Sequence, residues 1–566
     1  MSRTVATGIQ DFEKLRTGRY FYVDKTGFIE AWWKNADDVT MITRPRRFGK
    51  TLTMDMMNCF FSIRYANRTE LFEGLRVSKD AEMQRQQGTW PVINLSFAGV
   101  KGTTCEGTIK LIKKILVRQF SDYPELQTSE KLGRYERKAL EQIDESMDDE
   151  DAAMSLNLLS TLLEKHYGKK VLIFLDEYDT PLQEAWLNGF WDELLSFIRI
   201  LFNNTFKTNS SLHRGVMTGI TRIGEEFIFS ELDNAVMMTT TSIPYATDFG
   251  FTEDEVFHAL DEQGLGDKKA EVKEWYDGFA FGGVKDIYNP WAVTNFLKHG
   301  VLAPYWTNSS GNGLADQLLR HGNKRVKSQF EALLSGETIE TTLNEEVVFS
   351  QLGNDSNAIW SFLLATGYLK VVSGPRREES RPFGNPVYTL ALTNMEVRNM
   401  FYGMVHQWFD QGSYPMSDFA DNMLSGNVEE MNLFMNQIAL TSFSSFDTAS
   451  SQGQTEPERF YHGFVLGLLV EKQNEYLLKS NRESGFGRYA VILQPRDVKK
   501  PAVIMEFKVF NKEEGEKKLH DTAVRALRQI EEKQYVTELL DHGIAEANIL
   551  KYGMAFRGKE CLILRG

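Results

Sequence analysis

Three residues that together suit phosphate chemistry stand at the junction of an apolar stretch and a segment with helical periodicity. The stretch RPRRFGKT (44–51) carries Gly49, Lys50 and Thr51 directly before the helical segment LTMDMMNCFF. Backbone N–H groups at a helix N-terminus attract phosphate, a lysine reaches the terminal phosphates, and a threonine hydroxyl ligates magnesium. The order strand, loop and helix therefore predicts a phosphate-binding loop.

The loop departs from the usual P-loop spelling at its first position. Arg44 stands where a P-loop has its first glycine, a residue that shapes the turn more than it contacts phosphate. Gly49 is retained where a side chain would obstruct the approach of the backbone. Arg46 and Arg47 either add positive charge beside the phosphates or face water. The expected nucleotide-binding residues are Arg44, Pro45, Arg46, Arg47, Phe48, Gly49, Lys50, Thr51 and Asp176.

A second stretch, VLIFLDEYD (171–179), supplies acidic residues at the end of an apolar strand. Asp176 is expected to hold magnesium together with Thr51, and Glu177 to polarise the water that attacks the phosphate. ATP and Mg²⁺ are thus the expected cofactors. Arg222, near the end of the strand expected over 213–223, either senses the γ-phosphate or is a solvated loop arginine. An Arg222 that acts across a subunit boundary would require a homo-oligomer.

A third constellation lies near the end of the chain, in PAVIMEFKVF (501–510). Glu506 and Lys508 are two positions apart on a strand, so both point to the same face, whereas Phe507 points to the other. A metal-dependent nuclease uses such a carboxylate as a metal ligand and such a lysine to position or activate water. The spacing is also common on surface strands. Gln529, on the following helix, either joins this site or belongs to an ordinary amphipathic helix.

The elements that must position these residues divide the chain into three expected regions. At 566 residues the chain is long enough for two to four domains. Strands alternate with helices up to about residue 225, which indicates an α/β domain with a mostly parallel sheet. Helical runs with aromatic loops follow, and a Ser-rich linker (441–458) precedes a smaller α/β region. That region is expected to begin with a helix over 460–473 and to contain one long helix from about Glu514 to Leu540. The expected boundaries are 1–245, 246–445 and 446–566.

Composition excludes some classes of protein. No apolar run approaches the roughly 20 residues that span a bilayer, and the N-terminus lacks the apolar core of a secretory signal. Three cysteines without metal-type spacing favour a reducing cytoplasm. The net charge of -14 argues against a general basic coat for nucleic acid, although a local basic groove stays compatible with it. The aromatic pairs Trp275, Tyr276 and Tyr305, Trp306 either stack bases or, as is commoner, pack in the core.

Several stretches together resemble one family along nearly the whole chain. They are GIQDFEKLRTGRYFYVDKTGFIEAW, RPRRFGKTLTMDMM, FLDEYDTPL, TGITRIGEEFIFSELDN, WYDGFAFGG and IYNPWAV. The chain resembles bacterial AAA-ATPase-like proteins that carry a C-terminal PD-(D/E)XK nuclease domain. In that family RPRRFGKT is the usual spelling, which makes Arg44 a family variant. The resemblance implies an N-terminal P-loop NTPase, a helical middle region and a C-terminal α/β domain of the restriction-endonuclease type.

The resemblance also implies a metal ligand that this chain lacks. Where the family has its first metal-binding aspartate, the chain reads GRYAVIL, with Ala490. Either the domain is a natural pseudonuclease or the alanine is an engineered substitution; the intact Glu506, Lys508 and Gln529 favour the second. The function implied is an ATPase that gates metal-dependent cleavage of DNA or RNA, in defence against phage or mobile DNA. The alternative is an ATP-dependent switch or scaffold that binds a partner.

Overall fold

The protein forms two compact units. Unit 1 comprises Met1–Gly311 and Glu340–Glu396, and unit 2 comprises Asn312–Ile339 and Val397–Gly566. The region expected at 246–445 is shared between them. The computed structural model describes residues 3–221, 234–309, 312–343, 355–376, 386–409, 417–442, 475–483, 488–533, 535–557 and 560–566, with single positions at 465, 468, 469 and 472.

Unit 1 is built around a five-stranded parallel sheet. Its strands are β1 (Val39–Thr43), β2 (Val92–Ser96), β3 (Val171–Asp176), β4 (Leu212–Gly219) and β5 (Ala235–Met238), in the order β2-β3-β4-β1-β5. Every residue of β1 and β3 is buried, as expected for inner strands of a sheet covered on both faces. The expected parallel sheet is confirmed, with β4 lying between the two strands that carry the chemistry.

The register of this sheet brings the carboxyl ends of its strands to one edge. Thr43 pairs with Gly219, and Ser96 pairs with Asp176. The loop after β1 and the acidic residues after β3 therefore face each other across the end of β4. This is the edge where parallel α/β sheets bind their ligands.

Helices cover both units. Aromatic side chains of the first three helices in the chain pack against the large sheet in one core. In this core Trp32 and Phe61 contact Phe174. The α-helices of the described residues are α1 (Phe12–Thr17), α2 (Gly27–Asn35), α3 (Lys50–Phe61), α4 (Ala81–Gln86), α5 (Cys105–Ser121), α6 (Arg134–Glu141), α7 (Asp149–Tyr167), α8 (Thr180–Asn188), α9 (Trp191–Phe202), α10 (Glu253–Glu262), α11 (Lys269–Tyr276), α12 (Pro290–His299), α13 (Gly313–Arg320), α14 (Lys324–Leu334), α15 (Ser356–Ala365), α16 (Met395–Phe409), α17 (Ser417–Ser425), α18 (Val428–Ser442), α19 (Leu519–Glu532) and α20 (Tyr535–Asp541).

The middle of the chain is helical, as expected, and adds two small sheets. The first contains β6 (Phe251–Thr252), β7 (Phe279–Phe281) and β8 (Val284–Tyr288), in the order β6-β8-β7. The second contains β9 (Ile339–Thr342), β10 (Leu369–Arg376) and β11 (Val387–Leu392), in the order β10-β11-β9. Tyr276 and Trp306 are fully buried, so the core-packing interpretation of these two aromatic residues is confirmed.

Unit 2 carries a mixed five-stranded sheet. Its strands are β12 (Tyr476–Glu483), β13 (Arg488–Pro495), β14 (Ala502–Val509), β15 (Ile549–Arg557) and β16 (Glu560–Arg565), paired in chain order. β14 and β15 are parallel and the other pairs are antiparallel. The crossover between the two parallel strands contains α19, which packs against both. This arrangement agrees with the expected smaller α/β domain.

The one long helix expected from Glu514 to Leu540 is wrong in its extent. Helix α19 begins only at Leu519, because Lys512–Glu514 forms a 3₁₀ turn and Gly515 has a left-handed φ of +81°. A second helix, α20, follows from Tyr535. The helix expected over 460–473 falls almost entirely outside the described residues. None of the helices in the described part of the chain is both long and apolar enough to cross a bilayer.

Candidate functional site

The loop between β1 and α3 has the backbone form of an anion cradle. Arg47 has a φ of +66° and Gly49 a φ of +83°, with Phe48 between them. Left-handed residues in such a loop can turn successive N–H groups into one concavity. An added Cβ on Gly49 would meet no atom within 4 Å, so it would stand in open space beside the loop. The glycine is required by its φ, and the open space leaves room for a phosphate.

Lys50 lies at the first helical position and is almost completely buried. Its Nζ donates hydrogen bonds to the carbonyl oxygens of Arg44 (2.9 Å) and Pro45 (3.0 Å). Burial lowers the pKa of the ammonium, while the neighbouring carboxylates of Glu177 and Asp176 act in the opposite direction. The ammonium therefore stands between the loop carbonyls and the acidic end of β3.

The acidic end of β3 is joined to the loop through Asp176. Its Oδ2 accepts a hydrogen bond from Thr51 Oγ1 at 2.7 Å, and its Oδ1 accepts one from Thr218 Oγ1 at 2.5 Å. Ser96 Oγ, at the end of β2, lies 3.4 Å from Oδ2. A hydroxyl and a buried carboxylate are thus adjacent, as in magnesium sites that keep several waters and take their remaining ligands from substrate phosphates. The residues present fit a nucleotide-bound magnesium ion.

Glu177 follows directly and is held in a strained backbone conformation. Its φ is +52°, which is unusual for a non-glycine residue and persists only where the surroundings hold it. Burial raises the pKa of its carboxyl group, and the charge of Asp176 raises it further. Thr180 Oγ1 donates to the carboxylate at 3.3 Å. Glu177 is half-buried beside Asp176, where the sequence expects the group that polarises water.

The tips of β3 and β4 are tied together beyond the acidic pair. Asp179 is fully buried, and its Oδ2 accepts hydrogen bonds from the backbone N–H groups of Ile220 (2.9 Å) and Thr221 (3.0 Å). The Tyr178 hydroxyl donates to the Thr221 carbonyl oxygen at 2.8 Å. These contacts fix the start of the segment that continues into Arg222, which lies outside the described residues. Its role stays a prediction.

Arg44 reaches the site through its backbone. Its guanidinium is fully buried and donates to the carbonyl oxygens of Thr43 (2.9 Å), Thr239 (2.6 Å) and Tyr245 (3.3 Å). It also lies 4.8 Å from the centroid of the Phe281 ring. Desolvation lowers its pKa to about 10. The Arg44 side chain therefore stabilises the base of the loop. The backbone carbonyl oxygen of Arg44 accepts the hydrogen bond from Lys50 Nζ.

The two other arginines of the loop stack on aromatic rings. The Arg46 guanidinium is 5.5 Å from the Trp306 ring and 5.8 Å from the Tyr368 ring. The exposed Arg47 lies 4.6 Å from the Trp291 ring. The sequence analysis offered two environments for these arginines, phosphate or water. The structure shows a third, in which both guanidinium groups contact aromatic rings of the middle region.

The apolar residues of the loop pack against the same region. Phe48 is buried against the rings of Phe279 and Phe281, at centroid distances of 4.8 and 5.3 Å. Pro45 lies so close to Gly367 that a Cβ there would come within 2.8 Å of it. All five residues from Arg44 to Phe48 are thus in contact with parts of unit 1 that lie much later in the chain.

The second constellation assembles in unit 2 on β13, β14 and α19. Glu506 is fully buried, and its Oε1 accepts a hydrogen bond from Gln529 Nε2 at 2.6 Å. Lys508 Nζ lies 3.8 Å from the same oxygen. Phe507 points to the opposite face, where its ring stacks with that of Phe556. Ala490 is the register partner of Glu506, so its Cβ lies on the same face of the sheet.

Comparison with known families agrees with both constellations. A family model described as a predicted AAA-ATPase matches residues 6–229, and a model of the PD-(D/E)XK nuclease superfamily matches residues 456–565. The chain carries an AAA-ATPase-like domain and a PD-(D/E)XK nuclease superfamily domain. It is also 23% identical over 396 residues to an uncharacterized protein in the vnfD 5' region of Azotobacter chroococcum mcd 1, covering 69% of this chain and 67% of that protein.

The part of the nuclease-superfamily domain that the structure describes does not offer a complete metal site. Glu506 is its one carboxylate at this position of β13 and β14, because Ala490 has no oxygen. Among the described residues, no group of three or more histidine, cysteine, aspartate or glutamate side chains could hold a metal ion. The described residues of this domain therefore do not fit a catalytic divalent cation.

Some residues of the AAA-ATPase-like site escaped the sequence analysis. Thr218 is one, although its position as the last polar residue of an apolar strand is a usable signal. Asp179 is another, since DEYD contains three acids and spacing alone does not say which is buried. Asn289 and Trp306 both donate to the carbonyl oxygen of Arg46, and the sequence gave no signal of this contact.

Proposed function

We propose that the AAA-ATPase-like domain binds and hydrolyses ATP with magnesium. The observation that carries this proposal is the 2.7 Å hydrogen bond between Thr51 and Asp176, formed beside the buried Lys50 ammonium. Lys50 would hold the terminal phosphates, and Thr51 and Asp176 would hold the ion. Glu177 would orient the attacking water and accept its proton. A bound magnesium ion supplies positive charge to the phosphate oxygens.

ATP turnover by four forms of the full chain, one of them a control, tests this. The wild-type chain should hydrolyse ATP. Lys50→Ala should lose both binding and turnover, whereas Glu177→Gln should keep binding and lose turnover by a factor of 100 or more, on the order of general-base contributions. Lys169→Ala is a matched control, because this half-buried lysine hydrogen-bonds to Thr89 instead of the phosphate loop. Equal, negligible turnover in the wild-type chain and Lys50→Ala would sink the proposal.

For the C-terminal domain, we propose that it engages nucleic acid and that cleavage requires an aspartate at position 490. Support comes from the register, since an aspartate there would stand beside Glu506 on one face of the sheet. Gln529 already holds Glu506, and Lys508 is close enough to position water or stabilise developing charge. Two carboxylates and a lysine are the set that this nuclease chemistry needs.

ATP binding or hydrolysis by the first domain would gate cleavage by the last, in the cytoplasm and in defence against phage or mobile DNA. The test is cleavage of DNA and RNA by the Ala490→Asp variant, in magnesium or manganese, with and without ATP. The same variant with Lys50→Ala is the control for gating. ATP-dependent cutting that the second substitution abolishes supports the proposal, and ATP-independent cutting contradicts gating.

The alternative is an ATP-dependent switch or scaffold whose nuclease-like domain binds a partner without cutting it. The pairing of Ala490 with Glu506 favours this alternative for the chain as written, because this pair holds one carboxylate. If Ala490→Asp cuts neither DNA nor RNA while the chain still hydrolyses ATP, the alternative is the better account.

A further inference from the structure

The peptide group between Arg46 and Arg47 is held from outside the phosphate loop. The Arg46 carbonyl oxygen accepts hydrogen bonds from Trp306 Nε1 at 3.0 Å and from Asn289 Nδ2 at 3.3 Å. Both donors belong to buried residues. Because this peptide bond is trans, its N–H points away from its C=O. Fixing the carbonyl of residue 46 therefore fixes the direction of the Arg47 N–H.

This N–H belongs to the part of the loop that forms the anion cradle. Arg47 is the first of the two left-handed residues, and its φ of +66° is unfavourable for a non-glycine residue. Such a conformation persists only where neighbouring groups hold it. The two donors supply that restraint, and they do so on the carbonyl side, which leaves the N–H side to the ligand.

The donors are themselves rigidly placed. Asn289 is the N-cap of α12, and its Oδ1 accepts from the N–H groups of Trp291 (2.9 Å) and Ala292 (3.1 Å). The other end of its amide is thereby directed at the loop. The backbone N–H groups of Trp306 and Thr307 both donate to Oε1 of the buried Glu396, at 2.6 and 3.0 Å.

We propose that Asn289 and Trp306 are positioning residues for the phosphates of ATP. They hold the 46–47 peptide with the Arg47 N–H facing the terminal phosphates. The inference rests on the proposed ATP binding. The restraint comes from residues 243 and 260 positions later in the sequence, so the middle region is part of the nucleotide site.

Three single substitutions test this in the full chain. Trp306→Phe keeps an aromatic ring and removes the N–H donor, and Asn289→Asp keeps the helix cap and removes the amide donor. Trp90→Phe is the matched control, because its Nε1 donates to Gln86 Oε1 at 3.0 Å and its ring packs against Trp33 and His213, away from the loop. The affinities for ATP and for inorganic tripolyphosphate are measured by calorimetry, and the melting temperature is measured without ligand.

Trp306→Phe and Asn289→Asp should each weaken ATP binding about tenfold, as expected for one misplaced hydrogen bond to a charged group. The affinity for tripolyphosphate should fall by the same factor, because the 46–47 peptide would contact the phosphates and not the base. Trp90→Phe should bind both ligands like the wild type. Equal affinity in Trp306→Phe and Trp90→Phe at similar melting temperatures would overturn this inference alone. A wild-type chain that binds neither ligand would overturn the proposed function as well.

Discussion

Ala490 and Glu506 lie directly opposite each other on adjacent antiparallel strands, and both are fully buried. Side chains at such a pair point to the same face with their Cβ atoms about 5 Å apart. Two carboxylates at that separation could bind one divalent ion between them. A single alanine therefore decides whether this pair of facing positions presents one carboxylate or two.

The first prediction concerns metal binding by the Ala490→Asp variant. Without metal, its melting temperature should fall below that of the wild type, because two buried carboxylates side by side repel each other. Mn²⁺ should then restore stability. An ion at 100 times its dissociation constant contributes roughly 2.7 kcal/mol. Differential scanning fluorimetry with EDTA and with Mn²⁺ measures both effects.

Two controls separate metal binding from general salt effects. Ala490→Asn introduces a side chain of similar size without the charge. Its melting temperature should therefore be the same with Mn²⁺ as with EDTA. The combination of Ala490→Asp with Glu506→Gln should also lose the response. Equal Mn²⁺ shifts in the wild type and Ala490→Asp would show that the pair is not a metal site.

The second prediction concerns Gly49→Ala in the phosphate loop. Its φ of +83° should cost an alanine roughly 1 kcal/mol, and the new methyl group would occupy the open space where phosphate approaches. The variant should melt a few degrees lower and bind ATP more weakly than that strain alone explains. Gly99→Ala is the control, because Gly99 is exposed, has no left-handed φ and also has open space around it. ATP titration and thermal melts compare the two variants.

The inner strands of the large sheet were predictable because buried strands have a recognisable sequence pattern. β3 is an uninterrupted apolar run bounded by charged residues, and burial on both faces requires such a run. The edge strand β5 was missed, since four residues of mixed exposure give no clear periodicity. The final strand β16 was missed because its sequence, ECLILR, has four consecutive apolar residues, which hide the alternating burial seen in the structure.

The chemistry of the candidate site was predictable only where it follows strand ends. The proximity of Lys50 and Asp176 was predictable from one rule, because parallel strands end at the same edge of a sheet. The contacts of Asn289 and Trp306 with Arg46 depend on how the middle region folds back over the loop. Local pattern carries no information about a pairing across more than 240 residues, so these contacts required the three-dimensional structure.

The third prediction concerns two asparagines that cover the edge of the second sheet. On α18, the Asn432 amide exchanges hydrogen bonds with the N–H (2.7 Å) and C=O (2.9 Å) of Ile563. Asn436 does the same with Cys561, at 2.9 and 2.7 Å. These amides satisfy an edge strand as a neighbouring strand would. Replacing both by alanine should destabilise β16 by roughly 2–4 kcal/mol and expose a pairing edge.

Hydrogen exchange of the segment 560–566 measures that loss of protection, and size-exclusion chromatography detects self-association through the exposed edge. Leu433→Ala is the control on the same helix, because Leu433 is 48% exposed and should change stability by less than about 0.5 kcal/mol. Unchanged exchange in the double variant would mean that the asparagines do not protect the strand.

The last prediction concerns the pH dependence of stability that Glu396 contributes. Burial raises the pKa of this carboxyl group to about 7, despite the hydrogen bonds from Trp306 and Thr307 and the nearby charge of Arg46. The folded chain thus keeps the proton up to about pH 7, whereas an unfolded glutamate releases it near 4.5. The free energy of unfolding should therefore fall as pH rises through this window, by up to about 3 kcal/mol.

Glu396→Gln should remove this contribution, because glutamine still accepts the two N–H groups and does not ionise. In thermal melts between pH 5 and 8, the melting temperature of Glu396→Gln should rise relative to that of the wild type as the pH rises. The difference should level off above about pH 7. Burial also raises the pKa of Asp55, to about 6, so the wild-type curve alone does not isolate Glu396. Asp55→Asn is the control, since its difference curve should level off about one pH unit earlier. Parallel curves for the wild type and Glu396→Gln would mean that Glu396 ionises alike in the folded and unfolded chains.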